Sequence, residues 1–353
     1  MRVKTLNTYL RHKAFERKHR KSTEKRKQLR IRRSCRKKSN LSQKSSKNPY
    51  RFKYTQYQTT ISGDFALLSN SEYVIDTINT LTSIKNSPSI RYIIHIDISE
   101  VTLIDIGAIG LLLSAINSLS RRNIHVFGNY PKDDRCKQIF ISSGFLDHMR
   151  NMQGKPFKKD SCSNLLIERG FDRTNNKRIG EEIRRSVSYL TGDEKSYRPV
   201  FSMAQEMIAN AIEHANRHRQ YKNWLFAVYY EKDKVIFTIT DIGEGILSTL
   251  RKKTQQKIAD TVTMKDDMEV LMGAFDKKYQ SSTLDPNRNK GLPRIKEINE
   301  NEYVENLQVV TNRVYLDFST PNHSRKLTSN FKGTFYYWEL TKKAIQRWEQ
   351  RNL

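Results

Sequence analysis

The sequence predicts a mixed α/β (α+β) chain with two ordered domains behind a basic N-terminal tail. Three observations predict it. Positive charge is concentrated in the first fifty residues, strand and helix patterns alternate over 51–150, and a helix, paired strands and glycine turns follow over 178–342. A chain of 353 residues is long enough for two cores.

The tail comes first. Residues 1–50 hold nineteen Lys/Arg against two acids, Glu16 and Glu24, which is +17 of the chain's net +27. A like-charged block with so few apolar side chains cannot offset its chain entropy by burial, so disorder is expected. It reads either as an electrostatic arm for nucleic acid or another polyanion, or as a solvated tail. Tyr9, Phe15 and Tyr50 are too few to signal base stacking. The weak stripe Val3, Leu6, Leu10, Ala14 gives a third reading, a short helix seated on an anionic membrane.

Hydrophobic residues make up 37% and mean hydropathy is −0.74, so no membrane span is expected. The longest apolar run, Val101 to Ile116, is broken by Asp105 and small residues and reads as a buried strand–turn–helix. No signal-peptide stretch opens the sequence, and Cys35, Cys136 and Cys162 lack metal-ligand spacing. A reduced, cytoplasmic protein is expected.

Within 51–150, Arg91–Ile98 reads as a buried strand, Gly107–Ser120 as a helix, Asn123–Phe127 as a second strand and Asp133–Ser142 as a second helix. This order implies parallel strands in a small α/β unit. The run from Ile96 through Asp105, Gly107 and Gly110, with Ser143-Gly144-Phe145 after it, resembles a STAS domain, the fold of anti-sigma-factor antagonists. In that family a hydroxyl residue follows the Asp and accepts phosphate. Here Ile106, Gly107 and Ala108 stand there, so the resemblance implies a docking or scaffold version that cannot be phosphorylated at this position.

Residues 151–177 mix charge, Gly and Pro around Leu165–Ile167, and read as a linker or an added edge strand. A helix is expected over Arg178–Leu190, then a turn at Thr191-Gly192-Asp193. On a helix over 201–216, Ala204, Met207, Ile208, Ala211 and Ile212 share one side, and Glu206, Asn210, Glu213 and His214 the other. The Glu206/Asn210 spacing stacks carboxylate and amide one turn apart. An amide oxygen suits Mg²⁺, which also takes phosphate oxygens, and a nearby carboxylate suits a general base. Trp224–Tyr230 and Val235–Thr240 read as paired strands, with Asp241 at the strand end and Gly243 and Gly245 after it. The Asp241 carboxylate can accept a hydrogen bond from an exocyclic amine such as that of adenine. The glycines admit close approach or positive φ.

This constellation resembles the GHKL (Bergerat-type) ATPase fold of histidine kinases, gyrase, MutL and the anti-sigma-factor serine kinases. Glu206–His214 matches its N box and Asp241–Ile246 its first glycine box. Asn289-Lys290-Gly291-Leu292 matches the second glycine box, with Asn289 in place of the first glycine, and Gly333-Thr334 matches the late strand. The resemblance covers roughly 178–342, leaves 343–353 as a C-terminal tail, and makes 247–288 a lid. It implies Asn210 as Mg²⁺ ligand, Glu206 as candidate base, and Asp241 as adenine reader supported by Thr334. Gly291 would abut phosphates at a helix N-terminus. Lys290 would contact the γ-phosphate or be one more basic surface residue, and His214, Gly243, Gly245, Ile246 and Leu292 complete the expected cofactor-binding set.

An ATP- and Mg²⁺-binding regulatory protein is therefore expected, coupled to its STAS-like domain and a protein partner. An anti-sigma-type serine kinase and an ATPase clamp are its two versions. A nucleic-acid-associated protein using the basic arm is the alternative, and homodimerisation is open.

Overall fold

Strands in the second half of the chain are apolar on both alternating faces, as in Trp224–Tyr230 and Phe335–Leu340, so the sheet they form needs cover on both sides. The computed structural model describes residues 53–151, 153–157, 165–170, 176–214, 224–255, 266–276 and 291–352, with the side chains of 165–170, 213–214 and 252–255 excepted. The chain divides into two units, 1–53 and 54–353. The tail expectation lies outside the described residues, which belong almost wholly to the second unit.

The first layer is a three-stranded sheet, β1 (Lys53–Phe65), β2 (Ile90–Ile104) and β3 (His125–Gly128), in that spatial order. β2 and β3 run parallel, as the element order predicts, with Ile94 opposite Val126. Ile94, Ile96 and Ile98 alternate inward from β2 onto α1 (Ser71–Ser83) and α2 (Ile106–Arg121). Residues 53–65 and 71–83 carry elements that the sequence reading leaves unassigned. Asp105 starts α2 by accepting from the Ala108 N–H at 2.7 Å, and its second oxygen accepts from the Leu68 N–H at 3.0 Å. Asp133 caps α3 (Asp134–Ser142) through the Cys136 N–H at 2.8 Å.

The second layer is an antiparallel sheet in the order β4-β5-β6-β8-β7: β4 (Leu165–Gly170), β5 (Trp224–Tyr230), β6 (Lys234–Asp241), β7 (Glu305–Asp317) and β8 (Arg325–Thr341). Of the two readings of Leu165–Ile167, the structure has the edge strand. One face of this sheet packs on a helical layer: α4 (Asn176–Thr191), α5 (Arg198–His214), α6 (Ile246–Gln255), α7 (Asp267–Phe275), α8 (Gly291–Glu300) and α9 (Lys342–Arg351). Phe226, Phe237, Ile239, Tyr336 and Trp338 point to that side, and the rings of Phe237 and Trp338 stack 5.5 Å apart.

Residues from the opposite face, Leu225, Ala227, Ile236, Phe335 and Tyr337, share one core with the first layer. Helix α2 has buried residues all round, from Ile106 through Leu119, because it is held between two sheets. One expectation is corrected: 343–352 is no free tail, since Thr341 caps α9 and Ala344 and Ile345 are buried in the helical core. Of the expected lid over 247–288, residues 256–265 and 277–288 lie outside the described residues; in the described part, Val270, Leu271 and Phe275 of α7 belong to the core, because an apolar helix face is better buried than left over a cleft.

Candidate nucleotide site

Four elements meet at one end of the antiparallel sheet. β6 ends in Asp241, whose register partners are Trp224 on β5 and Thr334 on β8. Asp241 is buried, 8% exposed, and burial pushes its carboxyl up to about 7 even though the Thr334 hydroxyl and backbone N–H hydrogen-bond to it. Gly333 permits this approach, since a Cβ there would collide with the Asp241 carbonyl oxygen. Thr334 and Tyr336 alternate with Phe335 along β8, so the first two face the helical layer and Phe335 the other.

Helix α5 runs beneath this corner. Met203, Ala204, Met207, Ile208 and Ala211 seat it on the sheet, as the periodicity predicts. Glu206 and Asn210 stand half-buried one turn apart. A Cβ on Gly291, the first residue of α8, would lie 2.8 Å from the Glu206 carboxylate, so the two expected boxes are in direct apposition. Asn210 lies beside Tyr336, whose hydroxyl also feels the Asp241 charge. Trp224 Nε1 is buried without a hydrogen-bond partner, and Asn210 Nδ2 and the Tyr336 hydroxyl have none but each other. Such groups are costly unless something supplies their partners, and here they gather around the buried carboxylate of Asp241.

The glycine turn follows Asp241. Gly245 takes φ +80°, a conformation open to glycine, and a Cβ on it would strike the Asn312 side chain. Ile246 opens α6, but its N–H already donates to Thr311 Oγ1 at 3.0 Å, so that amide is engaged within the chain. Leu292 packs on the helical core. Gly243 is half-buried in the turn. His214 ends α5 with its side chain outside the described residues, and Lys290 and Asn289 also lie outside them. Among the described residues no cluster of three His, Cys, Asp or Glu is placed to hold a metal.

Sequence reading missed Trp224, Tyr336, Thr311 and Asn312. An indole or phenol inside a strand reads as core, and no local signal marks its polar atom as unpartnered. No protein-family model matches the chain, and no curated protein matches it.

Proposed function

We propose that residues 178–342 form a GHKL-type module that binds ATP with Mg²⁺, and that the STAS-like layer reads its state. The observation that carries this reading is the set of under-partnered buried groups around Asp241 (Asn210 Nδ2, Tyr336 and Trp224 Nε1), which a ligand would satisfy. Asp241, when ionised, accepts from an exocyclic amine, and Thr334 holds its carboxylate in place. Asn210 offers the amide for Mg²⁺, so an ion here would rest on this one side chain and on phosphate oxygens. Glu206 on α5 faces the start of α8, where a carboxylate can hold a proton taken from an attacking hydroxyl. Bound ATP supplies a transferable phosphoryl group and the charge that Mg²⁺ screens.

Coupling to the STAS-like layer has a short path. Thr240 and Phe335 are the neighbours of Asp241 and Thr334 in their strands, and they face α2. A Cβ on Gly107 would lie 2.9 Å from Phe335 Cζ, and one on Gly110 would lie 3.9 Å from Thr240 Oγ1. Gly107, where the family's phosphoacceptor would stand, is buried in this seat. An external protein is therefore the better phosphoryl acceptor in the serine-kinase version, and in the clamp version α2 transmits shape alone. The +17 charge of residues 1–50 favours a second reading, in which the same module controls a nucleic-acid-binding arm.

Equilibrium dialysis with labelled ATP and GTP tests the site. The wild type should retain ATP and exclude GTP, and Asp241→Ala should retain neither. Equal retention of ATP by wild type and Asp241→Ala would overturn the assignment.

A further inference from the structure

The wall of the glycine turn is built by a strand that no motif singles out. β7 changes register on both sides of Asn312, between Thr311 and Asn312 and again before Val314. Asn312 takes φ 52°, in the left-handed region. This bulge turns two consecutive polar side chains into the turn. Thr311 is fully buried and Asn312 is 5% exposed.

Their hydrogen bonds reach both sides of the candidate site. Asn312 Nδ2 donates to the Glu244 carbonyl and to Ser248 Oγ, each at 2.9 Å. Asn312 Oδ1 accepts from the Leu247 N–H at 3.1 Å and the Ser248 N–H at 3.4 Å. Thr311 Oγ1 accepts from the Ile246 N–H at 3.0 Å and donates to the Gly333 carbonyl at 2.9 Å. The first three amides of α6 are thus occupied by side chains of this chain, which leaves that helix start unavailable to an anion. The same Thr311 hydroxyl joins the turn after Asp241 to the residue before Thr334.

We propose that Thr311 and Asn312 are positioning residues for the base end of the nucleotide site, setting the distance between the Asp241 turn and the Thr334 strand without touching the ligand. This inference rests on the ATP-binding reading. Its signature follows from its place: loss of the brace weakens every ligand that carries the base, whatever phosphates it carries.

Calorimetric titration of the full-length protein with Mg-ATP, Mg-ADP and adenosine tests it. Asn312→Ala and Thr311→Val should weaken all three by a common factor of about tenfold, the loss expected for one or two buried hydrogen bonds. Thr311→Ser, which keeps the hydroxyl, should restore affinity to within about twofold. Hydrogen exchange at Ile246, Leu247 and Ser248 should speed up in Asn312→Ala and Thr311→Val even without nucleotide. If Asn312→Ala does not fold, the Thr311→Val and Thr311→Ser pair decides. Unchanged affinities in folded variants, or a loss confined to ATP with adenosine unaffected, would overturn the proposal. A wild type that binds none of the three would instead overturn the ATP-binding reading itself.

Discussion

Gly107 at the start of α2 lies against the ring of Phe335, which follows Thr334 in β8; a Cβ on Gly107 would come within 2.9 Å of Phe335 Cζ and 3.1 Å of Leu67 Cδ2. The ring and the leucine are both fully buried and cannot move aside into solvent. Gly107→Ala should therefore destabilise the fold by about 1–3 kcal/mol through overpacking. Phe335→Leu should recover part of that loss, and a double-mutant cycle by denaturant unfolding checks the coupling. Gly107→Ser should remain unphosphorylated with labelled ATP, because its hydroxyl would be sealed between two layers.

The two layers are also pinned at their edge. Glu72 on α1 accepts from the Thr328 N–H at 2.6 Å, the Thr328 hydroxyl at 2.9 Å and the Ser329 N–H at 2.9 Å. Partial burial pushes its carboxyl up, but these hydrogen bonds outweigh that and hold it below the usual glutamate range. A lowered folded value means the clamp's contribution is present above the ordinary glutamate value and is lost as pH falls through the folded one. Glu72→Gln should speed hydrogen exchange over 325–331 at neutral pH, and the difference from wild type should shrink under acid conditions.

Asp241 sets a pH dependence of opposite sense. Its folded value is raised from 3.8 to about 7, so the native state holds an extra proton between those limits. Stability from this group is full below 3.8 and is lost as pH rises through about 7. Ligand binding runs the other way, because the ionised carboxylate accepts from the amine more strongly than the protonated acid does. ATP affinity should be flat above pH 8 and fall by up to about tenfold per unit below pH 7, and Asp241→Asn should lack that slope.

In the helical core, Tyr230 donates to the buried Glu182 carboxylate at 2.6 Å and lies 3.2 Å from Ser186 Oγ. Tyr230→Phe removes a hydrogen bond to a charged group and should cost about 1.5–3 kcal/mol in chemical denaturation. Nucleotide affinity should be unchanged, since this trio stands on α4 and β5, away from Asp241.

Part of the candidate site was legible where structure follows local pattern. Glu206 and Asn210 on α5, the strand-end Asp241 and the turn glycines Gly243 and Gly245 stand where periodicity and turn chemistry put them. What escaped reading depends on tertiary register. Asn312 reaches the glycine turn from some 65 residues away by way of a bulge, and nothing in Val-Val-Thr-Asn-Arg announces one. The double cover of the antiparallel sheet did leave a trace, in strands such as Trp-Leu-Phe-Ala-Val-Tyr-Tyr that are apolar on both faces. That pattern requires a second layer without saying which segment supplies it. The α7 core helix was hidden inside a stretch whose overall polarity suggested a lid.

Calorimetry of the full-length protein with ATP, with and without Mg²⁺, tests the central claim most directly. The account predicts one nucleotide per chain, tighter with Mg²⁺ and abolished by Asp241→Ala. No heat of binding under either condition, with the protein folded and at neutral pH, would contradict it.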